Sequence, residues 1–465
     1  MRPVFIGGTA SHVGKSWFTT AVCRLLRNRG VRVAPFKAQN MSNNSYPCIE
    51  GGEIGRAQAT QAEACGLPAM ADMNPVLLKP NSATGSQVVL QGQVWNNVEA
   101  LDYGEHTGFL LGKALESFHR LAGQFDRIVC EGAGSVAEVN LYERDITNLR
   151  FAEAVNARVL LVADIERGGV FASLAGTLDL LPPAQRRLVE AFAVNRFRGD
   201  TRLFDEGVRF LEDRLRIPCL GVFPYAPEIT IDDEDSLSLD DAGVAVGRDI
   251  AVIRLPRISN FTDFRALAPV DWIDSAGSRH QYRVVFLPGT KNTVEDLLWL
   301  RRQGLDLWLA EQRRGGALIV GICGGYQMLG ERVEDPDHIE STHGVVEGLG
   351  LLPVRTVLRA PKVTRIARAR TTAGCAFEAY EIHMGKTERP PGFTPFVTLA
   401  DGGTEGCRAE GVLGTYLHGA FDHPEVVAEY LNIRMEPHHK ADHYDKLADW
   451  LARYANAAVL ERLLS

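Results

Sequence analysis

The 465-residue chain has no run of about 18 apolar residues, so nothing in it predicts a membrane-spanning helix. It lacks an excess of basic charge. Lys and Arg number 50 against 58 Asp and Glu, and the net charge of −8 argues against a nucleic-acid partner. None of its eight cysteines (Cys23, Cys48, Cys65, Cys130, Cys219, Cys323, Cys375, Cys407) stands in a CxxC pair. Neither a disulfide framework nor a structural metal site is therefore expected, and a reducing cytoplasm fits best. No internal repeat or low-complexity segment is visible. No signal peptide is expected either, because Val4-Phe5-Ile6 already begins a strand. What remains is an α/β pattern, aliphatic runs alternating with helix-like stretches, in a chain long enough for two or three cored domains.

The first chemical signature is Gly7-Gly-Thr-Ala-Ser-His-Val-Gly-Lys-Ser16, which follows an apolar strand and precedes the helix-like Trp17–Arg29. Inward N–H groups of such a loop form an anion nest, and a helix N-terminus adds its dipole. Lys15 would reach the β- and γ-phosphates, and the Ser16 hydroxyl would ligate Mg²⁺. The loop is one residue longer than the usual form: Thr9 stands five before Gly14, and Gly8 one further back. That spacing resembles dethiobiotin synthetase and its relatives. Ile128-Val-Cys-Glu131-Gly-Ala-Gly134 resembles the strand of that superfamily whose terminal Glu binds Mg²⁺. Val159-Leu-Leu-Val-Ala-Asp164 is a further buried strand ending in a carboxylate, and Asn195, after Ala191–Val194, is placed to read an adenine edge. Acids at the carboxyl ends of parallel-type strands point at the crevice where open α/β sheets bind ligands.

The second signature is Gly321-Ile-Cys323-Gly-Gly325-Tyr-Gln327 after Ala317-Leu-Ile-Val. Glycines there permit a sharp strand-to-helix elbow that lifts Cys323 above a sheet, and a helix N-terminus favours thiolate. The pattern resembles class I glutamine amidotransferases. The resemblance implies that Cys323 attacks the carboxamide of glutamine, that Gln327 helps hold it, and that backbone N–H groups near Gly324 and Gly289 form the oxyanion hole. The base implied is His418, in Gly414-Thr-Tyr-Leu-His-Gly-Ala-Phe421. Many class I members carry Glu two residues after that histidine. Ala420 stands here, which leaves open what orients the imidazole. Tyr380-Glu-Ile-His383-Met-Gly385 resembles a segment lining the glutamine site, so His383 is a binding candidate.

These signatures divide the chain. Residues 1–225 carry the nucleotide motifs, 226–247 form an acidic linker or surface excursion (Asp232-Asp-Glu-Asp235, Asp240-Asp241), and 248–435 hold the cysteine elbow. In the tail, 436–465, Leu447, Trp450, Leu451 and Tyr454 have helical spacing and predict a helix packed on the body. The expected architecture is two doubly wound α/β domains, an N-terminal P-loop NTPase-like synthetase domain and a C-terminal class I glutamine amidotransferase domain.

Four long blocks discriminate further: Lys37-Ala-Gln-Asn-Met-Ser-Asn-Asn-Ser45, Arg56–Cys65, Met73–Pro80 and Asp164–Ala172. They resemble the cobyric acid synthases, over essentially the whole chain, and that branch also lacks the acid after the histidine. The resemblance implies ATP- and glutamine-dependent amidation of the b, d, e and g carboxylates of adenosylcobyrinic acid a,c-diamide, a cobalt-containing corrinoid. ATP and Mg²⁺ would serve the first domain, and Lys37, Gln39, Asn40 and Asn43 are candidate substrate contacts. The rivals are cobyrinic acid a,c-diamide synthase, with the same chemistry on other side chains, and a positioning-type P-loop ATPase. The second needs a lysine where Ala10 stands and has no use for a cysteine elbow.

Overall fold

The structure is a computed structural model and describes residues 2–82, 84–232, 247–436 and 439–465. Its first sheet has six parallel strands in the order Cys219–Pro224, Val189–Phe197, Arg158–Asp164, Val4–Gly8, Arg127–Glu131, Val33–Phe36. The strands are apolar on both faces because helices cover both. Val4 and Ile6 face one layer with Phe18 and Leu160, and Phe5 faces the other with Ile128 and Phe192. From Val4–Gly8 the chain steps out to Val33–Phe36, returns to Arg127–Glu131, and then crosses to Arg158–Asp164 on the other side. The loop after the first strand therefore sits where the strand order reverses, the usual ligand crevice. A smaller sheet, Gln39–Met41, Val76–Pro80, Gly85–Leu90 and Gln93–Glu99, is inserted beside it.

The second sheet runs Asp271–Ile273, Ile250–Ile253, Val284–Leu287, Leu318–Ile322, Val412–Thr415, Cys407–Ala409, parallel except for the last pair. Leu318–Ile322 and Val412–Thr415 are neighbours, with Ile322 opposite Thr415. One strand leads into Cys323 and the other toward His418, so the register brings the cysteine and the histidine together. Among the described residues no helix is long and apolar enough to cross a membrane.

Two segments depart from a simple reading of the chain. The tail helices, Lys440–Tyr454 and Ala457–Leu464, return to the first domain and complete the layer that holds Val4 and Ile6. Trp450 packs on Phe18 and Phe223, with ring centroids 5.4 and 4.8 Å away, and its indole N–H donates to the Pro224 carbonyl at 3.1 Å. Of the acidic stretch, residues 233–246 lie outside the described residues. Asp232 is no surface acid, because it is buried and bonded to Arg56 at 2.6 Å and Arg265 at 2.7 Å. Burial opposes its charge, but Arg56, Lys440 and Arg265 outweigh that and hold the carboxyl well below its ordinary range. Arg56 belongs to the first domain and Arg265 to the second, so Asp232 ties them together.

Candidate active sites

The phosphate loop is built by one strand and one glycine. Gly14 has φ +105°, and a Cβ there would lie 2.2 Å from Asn195 Nδ2. Among the described residues no side-chain hydrogen bond caps the helix Lys15–Asn28, and a helix N-terminus favours an anion. Lys15 Nζ donates to the carbonyls of Ala10 and Gly134, both at 2.9 Å, which folds the side chain over the loop. Thr9 N–H donates to the Val162 carbonyl, and Gly8 packs against Val13 and Lys15. Asn195 is placed differently from the expectation of an adenine reader. It is buried, and its amide donates to the Val13 carbonyl at 2.9 Å, so it braces the loop from beneath.

Glu131 is fully buried at the end of its strand. Its Oε1 accepts from Ser16 Oγ at 2.9 Å and Lys37 Nζ at 3.0 Å, and its Oε2 accepts from Gln61. A hydroxyl and a carboxylate meeting at the phosphate loop are the hard oxygen donors that suit Mg²⁺. Asp164 ends the strand on the other side of the loop. Its carboxylate is committed to Arg196 at 3.0 Å and the Glu166 N–H at 2.7 Å, so it is a brace in this state.

A cavity of about 1240 Å³ opens over this loop, lined by Lys15, Ser16, Lys37, Gln39 and Asn40 from the first domain. Phe261, Thr262, Phe264, Arg265 and Trp272 line it from the second. Drug-sized pockets run to about 1,000 Å³, so this space is larger than one such ligand needs. Gln39 accepts from Tyr103, and Asn40 donates to Gln58 at 2.9 Å. Asn43, grouped with them by sequence, instead lines the pocket of Cys323.

At the elbow Cys323 has φ +52° and ψ −110°, a conformation that non-glycine residues hold only under constraint from their surroundings. Gly325 makes it feasible, since a Cβ there would come within 1.9 Å of the Leu287 carbonyl oxygen. The Cys323 thiol is nearly buried and donates toward the Ile382 carbonyl at 3.5 Å. His418 Nδ1 bonds Asp263 Oδ2 at 2.7 Å, and Asp263 Oδ1 accepts from the Gly419 N–H at 2.9 Å. Tyr380 stacks on the imidazole, ring centroids 5.3 Å apart. Burial lowers the His418 pKa, but Asp263 and then Cys323 raise it more, and it is pushed up to about 10. Its Nε2 is buried and makes no hydrogen bond among the described residues.

Asp263 thus fills the place that Ala420 leaves empty. It comes from the short 3₁₀ turn Phe261–Phe264, set off by Asn260 in the left-handed region (φ +52°). No motif marked it, and Asn260-Phe-Thr-Asp-Phe carries no spacing that a sequence reader would single out.

Gly289 backs onto the imidazole, where a Cβ would lie 3.1 Å from His418 Cε1. Gly324 lies against Thr290, with a Cβ there 3.1 Å from the Thr290 nitrogen. The two turns expected to form an oxyanion hole are therefore adjacent. Gln327 is buried with both ends used. Its Oε1 accepts from Thr293 Oγ1 at 2.7 Å, and its Nε2 donates to the Met384 carbonyl at 3.0 Å and Tyr416 at 3.2 Å. It shapes the pocket wall. His383 lies flat on Tyr416 with 3.7 Å between rings, and its Nδ1 is buried without a hydrogen-bond partner among the described residues. It lines the pocket and keeps a polar atom to offer.

Residues 39–45 and 259–265 separate the two sites and touch both. Gln39, Asn40, Phe261 and Thr262 line the large cavity, and Asn43, Ser45, Ser259 and Asn260 line the cysteine pocket. Ser45 N–H donates to Asn260 Oδ1 at 2.9 Å, and Phe261 N–H to Asn44 Oδ1 at 3.3 Å.

A phosphate-loop domain joined to a Cys–His–Asp site defines a class, the glutamine-dependent amidotransferases with their own nucleotide-driven synthetase. Residues 4–239 match the CobQ/CobB/MinD/ParA nucleotide binding domain, and residues 249–426 the CobB/CobQ-like glutamine amidotransferase domain. The cobyric acid synthase of Dehalococcoides mccartyi strain CBDB1 is 43% identical, covering 96% of this chain and 95% of that protein. That of Chlorobium phaeobacteroides strain BS1 is 47% identical, covering 91% and 89%. That of Bacteroides fragilis strain YCH46 is 42% identical, covering 100% and 99%. A solved glutamine amidotransferase aligns with 43% of this chain and all of its own at 14% identity and a TM-score of 0.30. The chain belongs to the cobyric acid synthase family.

Proposed function

We propose that this protein is a carbon–nitrogen ligase that amidates the b, d, e and g carboxylates of adenosylcobyrinic acid a,c-diamide, using ATP and glutamine. The observation that carries the reading is the shared partition. Two hydrogen-bonded segments line both a phosphate-loop cavity and a cysteine pocket, so the two sites share a wall.

A carboxylate is a poor acyl donor because its oxide leaves badly. In the large cavity a substrate carboxylate oxygen attacks the γ-phosphorus of ATP, ADP leaves, and an acyl phosphate results. Lys15 and the loop N–H groups hold the phosphates, and Lys37 adds a second buried cation. Ser16 and Glu131 would hold Mg²⁺, which supplies charge neutralisation at the phosphates.

At the second site the Cys323 thiolate attacks the glutamine carboxamide. His418 gives its Nε2 proton to the departing nitrogen, and ammonia leaves. Asp263 fixes the Nδ1–H tautomer and stabilises the imidazolium between these steps. Water then releases glutamate and restores the thiol. Ammonia displaces phosphate from the acyl phosphate, so each amide consumes one ATP, one glutamine and one water.

The cysteine pocket encloses only about 40 Å³, room for a few waters. Glutamine enters when the walls part, and those walls include Asn43, Ser45 and Lys79 of the first domain. Filling the large cavity is therefore expected to alter glutaminase activity. The deciding experiment is mass spectrometry of the corrinoid after incubation with enzyme, ATP, Mg²⁺ and glutamine. Four successive losses of one mass unit from the a,c-diamide support the reading. Amidation of cobyrinic acid at a and c alone would reassign the protein to the diamide synthase reaction.

A further inference from the structure

The cysteine pocket holds more charge than the chemistry at the carboxamide needs. Lys79, Lys291, Lys362 and Glu340 all line it beside Cys323. Two of the three cations already share one carboxylate, that of Glu53. Lys79 lies 2.8 Å from Glu53 Oε2 and donates to Ser45 Oγ at 2.7 Å, and Lys362 bonds Glu53 Oε1. That trio joins the two domains.

Lys291 differs. It follows the Pro288-Gly-Thr290 turn, and its backbone is pinned by an N–H bond to the Arg257 carbonyl at 3.0 Å. Its ammonium makes no hydrogen bond or ion pair among the described residues. Burial lowers its pKa to about 8, with Lys362 adding to the effect and Glu340, Glu53 and Cys323 opposing it. A half-buried ammonium lining the pocket is placed to pair with a ligand's carboxylate.

Glu340 is the complement. It sits in the loop after Arg332–Glu334, held by an Asn292 Nδ2 bond to its carbonyl at 2.7 Å. Its Oε2 accepts from the Thr293 N–H at 2.8 Å, and its Oε1 has no partner among the described residues. Burial pushes its carboxyl up. Lys291 and Glu340 share the pocket yet make no ion pair, which leaves a gap with a positive and a negative end.

We infer that Lys291 and Glu340 bind the amino-acid head group of glutamine, Lys291 taking the α-carboxylate and Glu340 the α-ammonium, while the carboxamide lies at Cys323. The inference rests on glutamine being the nitrogen donor. It makes the pair specificity-determining, because simple amides would lack one or both ionic contacts.

The test is steady-state glutaminase kinetics, together with competitive inhibition by two truncated amides. 4-Carbamoylbutanoate keeps the carboxylate, and 4-aminobutanamide keeps the ammonium. Lys291→Gln should raise the KM for glutamine about 10- to 100-fold, the range for losing a charged hydrogen bond, with kcat within a few-fold. It should weaken inhibition by 4-carbamoylbutanoate and leave that by 4-aminobutanamide unchanged. Glu340→Gln should do the reverse, and Lys291→Arg should recover most of the affinity. Ammonia-dependent amidation reports folding, and if Lys291→Gln loses it, the Glu340→Gln and Lys291→Arg results decide. A KM within twofold of wild type in Lys291→Gln overturns the inference. So does a fall in kcat with unchanged KM, which would assign the lysine to the thiolate instead. Wild-type enzyme that releases no glutamate from glutamine would defeat the functional reading itself, whatever Lys291 does.

Discussion

Asp263→Asn is the sharpest perturbation of the glutaminase site. Both oxygens of Asp263 are acceptors, one for His418 Nδ1–H and one for the Gly419 N–H. An asparagine has one oxygen and one NH₂, so whichever way it turns, one donor meets another donor. The imidazolium also loses its counter-ion in a buried place, and breaking a buried pair costs about 3–5 kcal/mol. The ring avoids that cost by giving up its proton. At 1.36 kcal/mol per decade, the loss corresponds to a fall in glutaminase kcat on the order of 10²–10⁴. The alkaline limb of the pH profile should move as well. With Asp263 the imidazole stays charged to about pH 10, and without it the burial penalty is opposed by Cys323 alone, so the limb should move to lower pH. Linkage gives the same sign for stability. A pKa raised on folding stabilises fully below about 6.5, and that contribution is lost as pH rises through about 10. Glutamate release measured from pH 5 to 10.5, with ammonia-dependent amidation as the control, tests the reasoning. Wild-type kcat and an unmoved alkaline limb in Asp263→Asn would refute it.

Cys323→Ser should abolish glutamine-dependent amidation and leave the reaction with high ammonia at raised pH, because the thiolate only generates ammonia. Full glutamine-dependent turnover by this variant would mean another nucleophile. Lys15→Ala should lose amidation with either nitrogen source, and Glu131→Gln should need more Mg²⁺ for half-maximal rate. Ammonia-dependent product from Lys15→Ala would remove the phosphate loop from the chemistry. Trp450→Ala empties a buried aromatic site between Phe18 and Phe223, at a cost of roughly 3–5 kcal/mol. Calorimetry should show the first domain melting roughly 10 °C lower, and an unchanged melt would mean the tail helix is not part of that core.

The parts legible in the sequence were those written in adjacent residues. A phosphate loop and a cysteine elbow are each one strand, one turn and one helix start, so their glycines and apolar runs appear together. Side-chain roles that depend on distant segments were not legible. Asn195 stands at a strand end beside the phosphate loop, where a base-reading amide is plausible, yet the sheet register sets it directly beneath Gly14 and its donor goes to Val13. Asp232 heads an acidic run, but two arginines far apart in the chain bury it. Asp263 is the clearest case. It precedes His418 by 155 residues, and only the turn fixed by Asn260 carries it to the imidazole. In the pattern with Glu two residues after the histidine, acid and imidazole share one turn and read as a motif. Here the acid has moved to the segment whose neighbours Phe261, Thr262 and Phe264 line the large cavity. The group that orients His418 is thereby built into the wall of the large cavity. An acid on the histidine's own turn would have been easier to find, but it would have no such contact with the second reaction.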